Sequence, residues 1–330
     1  MKDILNRLIN NHTLSRAEAK EVLTGLATGQ YNNSQIAAFL TVYLMRAIRV
    51  EELEGFRDAM LELCNAVDLE GYNAIDVCGT GGDGKNTFNI STISSFIVAG
   101  AEVNVAKHGN YGVSSVSGSS NVLEYLGVKF SGDADQMKRS IDESGICFMH
   151  APLFHPAMKN VAPIRKELGV KTFFNMLGPM VNPSFPPNQL VGVFNLELAR
   201  LYGYLYQNTN KHFSIVHSLD GYDEVSLTSD FKIISNSKEE LVSPKSLGFN
   251  SLSQDQLHGG ETIEDSAVIF SNILDGKGTE AQNAAVLVNA GLAIATTLQS
   301  NYEQGIKKAR ESLASGAAFK SFKNFLRVNS

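Results

Sequence analysis

The chain has no tryptophan, and its 330 residues include only three cysteines and no surplus of basic side chains. Each shortage removes a class of protein. Cys64, Cys78 and Cys147 are odd in number and widely separated, which excludes a disulfide framework and a Cys-rich metal site and leaves thiols packed as small apolar groups. The seven histidines contain no H-E-x-x-H pattern, so a zinc centre is not expected. Lys and Arg number 28 against 34 Asp and Glu, a net charge of −6; a generalised nucleic-acid or anionic-membrane surface needs the opposite balance. No uninterrupted apolar run approaches the length of a membrane span, and Met1-Lys-Asp-Ile-Leu-Asn-Arg7 lacks the apolar core of a signal peptide. The cytoplasm is the expected compartment. Internal repeats, low-complexity tracts and long linkers are also missing. What remains, 43% hydrophobic and 19% charged, is a globular composition with enough chain for two domains.

Residues 1–70 read as helical. Ser15 and Glu18 form a capping box with Leu14 as its staple, and Gly29 closes the helix that follows. Ile36, Phe39, Leu40, Tyr43, Leu44 and Ala47 predict one apolar helix face, and Leu53, Phe56, Met60, Leu63 and Cys64 predict another. After Gly71 the period changes. Apolar runs near 74–78, 103–106, 146–149, 190–194 and 213–217 alternate with helical stretches near 90–100, 119–126, 133–144, 155–168 and 195–207. That rhythm predicts an α/β fold with right-handed crossovers, whose strand-end loops converge on one rim.

The first of those loops is the most informative stretch. Asp76 to Cys78 ends a strand, Gly79, Gly81, Gly82 and Gly84 follow, and a helix begins at about Asn89. Glycines let backbone N–H groups approach a ligand, and the helix end adds partial positive charge, so a phosphate fits. Two familiar motifs nearly match. Gly79, Gly81 and Gly84 satisfy G-x-G-x-x-G, but Asp83 sits inside the loop and the helix opens too late for a dinucleotide fold. Gly79 to Lys85 reads G-x-x-x-x-G-K, but Asn86 stands where a P-loop needs a hydroxyl.

Three later segments add chemistry. Val105 to Ser120 is a second Gly/Ser-rich loop that begins with Lys107, a point charge for phosphate, and carries Asn110, Ser115 and Ser119. Arg165 follows the turn from Val161 to Pro163, and two readings carry equal weight: a solvated helix charge, or a guanidinium beside an apolar wall that takes an aromatic carboxylate. His108, His150 and His155 each suit a core or capping imidazole, and none declares itself a base. Asp223 and Glu224 lie in a turn after an apolar strand; adjacent acids in a turn are commonly solvated surface, but on the same rim as two phosphate cradles they become oxygen ligands for Mg²⁺.

Taken together, G-T-G-G-D-G with N-x-S-T, K-H-G-N, A-P-I-R-K-E-L-G followed by L-G-P and N-P, and D-G-Y-D-E resemble the anthranilate phosphoribosyltransferase family over roughly residues 76–226. The resemblance implies a small all-helical domain, residues 1–70 joined by helices from about 155–180, and a large α/β domain, residues 71–330, with a central mostly parallel sheet flanked by helices. It implies Mg²⁺-dependent transfer of phosphoribosyl from phosphoribosyl pyrophosphate (PRPP) to the amine of anthranilate, as in tryptophan synthesis, by a homodimer formed through the helical domain. Gly79, Gly82, Asp83, Thr87, Asn89, Ile90, Ser91, Thr92, Lys107, Ser115 and Ser119 would hold PRPP. Ser91, Asp223 and Glu224 would hold the metal, and Gly79, His108, Asn110, Arg165 and Gly178 would meet anthranilate. Lys107 and His108 are the residues nearest to a catalytic role, which is otherwise positioning and electrostatics. The sequence departs from the family at Tyr111, Val116 and Asn121. A pyrimidine-nucleoside phosphorylase of the same fold, or a non-enzymatic nucleic-acid-binding relative, would share the glycine loop; the acid pair, the Arg165 block and the net charge favour the transferase.

Overall fold

A computed structural model describes residues 1–112 and 115–330; Val113 and Ser114, inside the second glycine- and serine-rich loop, lie outside the described residues. The chain divides into two compact units, residues 1–66 with 152–183, and residues 67–151 with 184–330.

The first unit is helical. Its main helices are Arg16–Ala27, Asn33–Met45 and Val50–Glu62, followed after the chain returns by Ala162–Leu168. Ser15 caps the first of these through the reciprocal bonds of a capping box with Glu18, and Asn32 does the same for the second with Gln35. Ile36, Phe39, Leu40 and Tyr43 are buried as the periodicity predicts, with Phe39, Tyr43 and Phe56 packed on Phe173. The predicted face runs too far. The helix stops at Met45, Ala47 falls beyond it, and Leu44 is 46% exposed. The predicted helix 155–168 also breaks, into a 3₁₀ segment Pro156–Asn160 and the helix Ala162–Leu168. Pro163 lacks the N–H that a continuous helix would need there.

Glu52 ties this unit together. It is fully buried, and its carboxylate accepts from the Leu14 N–H (3.0 Å), the Tyr43 hydroxyl (2.9 Å), the Arg49 N–H (2.9 Å) and the Arg46 guanidinium. Arg46 also lies over the Tyr43 ring. A buried carboxylate survives only with such compensation.

The second unit holds a seven-stranded sheet: β1 (Ile75–Gly79), β2 (Val105–Gly109), β3 (Ile146–His150), β4 (Asn188–Gly192), β5 (His212–Ser218), β6 (Phe231–Ser235) and β7 (Glu239–Val242), in the order β3-β2-β1-β4-β5-β6-β7. The five predicted strands are parallel; β6 and β7, which the sequence reading did not foresee, add an antiparallel edge. Alternation along β1 serves both faces. Ile75 and Val77 join the apolar core with the helices Ile90–Gly100 and Glu280–Leu298. Asp76 and Cys78 meet Gln189, whose amide oxygen accepts from Tyr206 on the helix Leu196–Gln207. Glu280–Leu298 is apolar and long enough to cross a bilayer, but most of it is buried in the core of this unit.

Removing the Glu52 carboxylate strands Arg46 and two main-chain donors. Glu52→Ala is expected to lower the unfolding free energy of the helical unit by about 3–5 kcal/mol in a denaturant titration. A loss below about 1 kcal/mol would show that the ion pair is not a net support.

Candidate active site

Strand order reverses at β1, whose neighbours are β2 on one side and β4 on the other. In open α/β sheets the crevice for a ligand opens at such a switch point, outside the carboxyl ends of the strands. There β1 and β4 end in register on two glycines, Gly79 opposite Gly192. A Cβ on Gly79 would run into the Asp223 carboxylate, and one on Gly192 into the Asp223 carbonyl. The two strands therefore leave a slot, and the turn after β5 fills it. Gly192 was missed in the sequence reading, although a glycine inside an apolar strand run is a signal of close backbone approach.

The glycine loop is shaped by left-handed residues, with φ of 65° at Gly81, 80° at Gly82 and 74° at Gly84. The Gly81 N–H donates to Asp223 Oδ2 at 2.6 Å. The far end of the loop is strapped down. Phe88 N–H donates to the Leu257 carbonyl (3.2 Å), Gly259 N–H to the Asn86 carbonyl (2.8 Å), and the Asn86 side chain to the Gly260 carbonyl (2.8 Å). Asn86, the residue that spoils the P-loop motif, thus serves as an anchor. The helix opens after Asn89, as the spacing predicts. Asn89 Nδ2 donates to the Ser117 carbonyl at 2.9 Å, while Asn89 Oδ1, Ser117 Oγ and Thr80 Oγ1 are buried and meet no partner among the described residues. Buried polar atoms are normally satisfied, so three of them around one glycine loop suit a polar ligand.

Asp223 and Glu224 are held within this cradle. Glu224 Oε1 accepts from the Ser91 N–H at 3.2 Å. Burial, then the Asp83 and Glu224 carboxylates, push the Asp223 carboxyl well above its ordinary range. Burial also raises Glu224, against the opposing pull of Lys107 and the Ser91 N–H. This is negative charge in want of a cation. Among the described residues no group of three or more His, Cys, Asp and Glu forms a metal cage. Two carboxylates and the Ser91 hydroxyl instead fit Mg²⁺, which keeps waters and takes substrate phosphates rather than an all-protein shell.

Lys107 is placed differently from the sequence expectation. It lies within β2, not in the loop that follows, because the strand runs on to Gly109. Its side chain is buried, and the ammonium donates to the Val77 carbonyl and to Ser91 Oγ (3.3 Å). Burial lowers its pKa, with Asp76, Cys78 and Glu224 acting the other way. His108, next on β2, donates its N–H to Asp76 Oδ1 at 3.3 Å.

In the second loop, the Asn110 carbonyl accepts from the Ser120 N–H (3.1 Å) and Ser119 Oγ (3.3 Å), and Ser115 is half-buried. The three family departures find distinct settings. Asn121 Oδ1 accepts from both the Gly112 and Gly118 N–H groups (2.9 and 3.0 Å) and closes the neck of the loop, a task that needs only a side-chain oxygen. Tyr111 sets its ring edge-on to His150 and its hydroxyl on Glu124. Val116 is exposed, and nothing in the structure explains it. His150 packs as a core imidazole, stacked on Phe130 and bonded to Ser120 Oγ at 2.9 Å.

Arg165 and Gly178 belong to the first unit. Arg165 is half-buried, lies over the Phe174 ring at 5.1 Å and donates to Asn175 Oδ1 at 3.3 Å. Among the described residues no acid pairs with it. Burial lowers its pKa, so the guanidinium has a face of aromatic carbon and an unmatched charge. Gly178 opens a 3₁₀ turn, with no atom within 4 Å of where a Cβ would stand. His155 is buried, and burial holds its imidazole down at about 4.

A glycine loop over an acid pair at the switch point of the sheet, with a separate helical unit, is the arrangement of a glycosyl-group transferase by family likeness. Residues 71–319 match the a/b domain of a glycosyl transferase family, and residues 2–64 match the helical bundle domain of that family. The anthranilate phosphoribosyltransferase of Christiangramia forsetii is 63% identical over 329 residues, covering 100% of this chain and 99% of its own. The crystal structure of the Thermus thermophilus anthranilate phosphoribosyltransferase superposes with a TM-score of 0.92 at 32% identity, covering 98% of each chain. The Saccharomyces cerevisiae enzyme, solved in complex with PRPP and Mg, gives 0.89 at 26% identity, covering 98% of this chain and 96% of its own. The chain belongs to this glycosyl transferase family and, within it, to the anthranilate phosphoribosyltransferases. These likenesses favour neither the nucleoside phosphorylase nor the nucleic-acid-binding alternative.

The slot supplies a direct test. Gly192→Ala is expected to displace the Asp223 carbonyl and lower kcat/KM roughly 100-fold, the scale of an ångström-sized misplacement, while far-UV circular dichroism stays that of a folded α/β protein. Wild-type kcat/KM in that variant would show that the close approach is dispensable.

Proposed function

We propose that the switch-point cradle binds PRPP and that the chain transfers its phosphoribosyl group to the amine of anthranilate, releasing pyrophosphate. The observation that carries this reading is the Asp223 carboxylate, set in the slot between Gly79 and Gly192 and bonded to a glycine-loop N–H. Gly79, Gly82, Thr87, Asn89, Ile90, Ser91 and Thr92 line the loop and the helix start that take the phosphates, with Ser115 and Ser119 contributing hydroxyls from the second loop. Asp83, Asp223, Glu224 and the Ser91 hydroxyl hold the cation side of the site. Mg²⁺, when bound, supplies the positive charge that lets pyrophosphate depart from C1 of the ribose.

Lys107 supports this arrangement from within the sheet, fixing Ser91 and offsetting Glu224. For anthranilate, Arg165 in the first unit has an unmatched guanidinium that suits a carboxylate, and Gly178 in that unit leaves room beside its backbone; Gly79, His108 and Asn110 are the residues of the second unit to which we assign a part in its recognition. The aniline nitrogen loses its proton during or after bond formation and needs no strong base, so positioning and electrostatic stabilisation carry the reaction. The exposed Leu44 and Met45 at the end of one helix, the latter 84% exposed, suit a homodimer formed through the helical unit.

Three expected outcomes check the reading. Replacing Asp223 by Asn together with Glu224 by Gln should raise the Mg²⁺ requirement and cut turnover by about 100-fold or more in a protein that still folds; an unchanged Mg²⁺ titration would rule the pair out as metal ligands. Purified protein with Mg²⁺ should consume anthranilate and PRPP one for one, followed by anthranilate fluorescence against a background free of tryptophan. Arg165→Ala should raise the anthranilate KM by about 10- to 100-fold with little change for PRPP, corresponding to loss of a charged hydrogen bond. Equal loss for both substrates would make Arg165 a structural residue.

A further inference from the structure

The 19-residue helix Glu280–Leu298 is the apolar core of the second unit, yet Asn289 stands in its middle at 1% exposure. Burying a primary amide is unfavourable unless its polar atoms are met. Here they are met by the main chain of one residue of the acid turn and by a carbonyl of the same helix. Asn289 Oδ1 accepts from the Val225 N–H (3.1 Å), and Nδ2 donates to the Val225 carbonyl (2.9 Å) and to the Ala285 carbonyl of its own helix (2.8 Å). Taking both main-chain groups of one residue is what a neighbouring strand would do, and Val225 is the residue directly after Glu224.

Elsewhere the turn is held through its ends and its acid side chains: Gly81 and Ser91 N–H groups reach the Asp223 and Glu224 carboxylates, and Thr228 and Ser229 donate to Asp220, so Asn289 is the core-helix side chain that takes the main chain beside the pair. Ser218 Oγ, at the end of β5, donates to the Glu224 carbonyl (2.7 Å) and accepts from the Ser226 N–H (3.1 Å). Leu227, two residues beyond Val225, has φ of 62°, a left-handed backbone that a branched side chain adopts only when its surroundings impose it. A leucine at position 289 would suit the packing of an apolar helix, so the amide answers a different need. Like outer-shell partners of metal ligands, it fixes the orientation of groups it does not itself replace.

We propose that Asn289 is a positioning residue for the Asp223–Glu224 pair, setting from the core helix where the two carboxylates stand for the Mg²⁺ that accompanies the pyrophosphate donor. The proposal rests on the reading of the acid pair given under the proposed function.

The test compares Asn289→Leu and Asn289→Ser with Ser94→Ala. A serine hydroxyl at 289 keeps a bond to the Ala285 carbonyl and gives up the turn, which preserves a foldable variant if leucine does not fold. Ser94 Oγ donates to the Val286 carbonyl of the same helix, away from the turn, and so controls for general destabilisation. Two quantities are read: the Mg²⁺ concentration for half-maximal activity, and amide hydrogen exchange across residues 219–229 in protein without substrate or metal. Both 289 variants should need about 10-fold or more Mg²⁺ and exchange faster across 219–229, with the anthranilate KM unchanged; Ser94→Ala should melt earlier and shift neither quantity. A Mg²⁺-dependent wild type beside an Asn289→Ser variant with the same Mg²⁺ response and the same exchange overturns the role of Asn289 alone. A wild type indifferent to Mg²⁺ overturns the proposed site and this proposal with it.

Discussion

Two carboxylates, Asp223 buried and Glu224 half-buried, stand where a sheet reverses direction, and much of the second unit follows from keeping them there. Asp223 and Glu224 face Asp83 inside a cradle with little solvent to disperse the charge. Their repulsion is tempered by Lys107, by the Gly81 and Ser91 N–H groups and by the start of a helix. The acids come so close to the strand ends only because Gly79 and Gly192 lack side chains. On the function proposed above, a cation and a phosphate would reinforce one another beside carboxyls whose charged forms burial disfavours.

The helical unit solves a related problem in the opposite sense. Glu52 is buried with its counter-ion and main-chain donors already in place, so it needs no ligand. Arg165 in the same unit is the converse: a half-buried guanidinium against an aromatic ring with no acid among the described residues. Charges that the fold satisfies are architecture, and those it leaves unsatisfied mark where chemistry is brought in.

Much of this was legible in the sequence because local rules and global fold agree. The capping box at Ser15, the strand rhythm from Ala74 to His217 and the late helix start at Asn89 all appear where spacing places them. What was not legible depends on neighbours distant in the chain. Leu44 continues the apolar period of its helix yet is left exposed, and Met45, off that period, ends the helix more exposed still. Lys107 looked like a loop cation because a charge seldom extends a buried strand, and the counter-charges that allow it lie on β1 and in the acid turn. Phe231–Ser235 and Glu239–Val242 are short and partly polar, as an antiparallel edge permits. Asn121 read as a departure, yet the two N–H groups it serves ask only for an oxygen.

The strap at Leu257 to Gly260 carries a consequence for how the molecule is made. The glycine loop closes against a segment some 170 residues downstream, while its acid partner comes from the turn after β5. Contacts of such sequence separation are late events, since loop-closure entropy is met before they give any return. A chain emerging from the ribosome therefore displays every residue of the glycine loop long before the loop has a shape. The loop takes its shape only with the last third of the polypeptide, so whatever it binds is a guest of the finished chain alone.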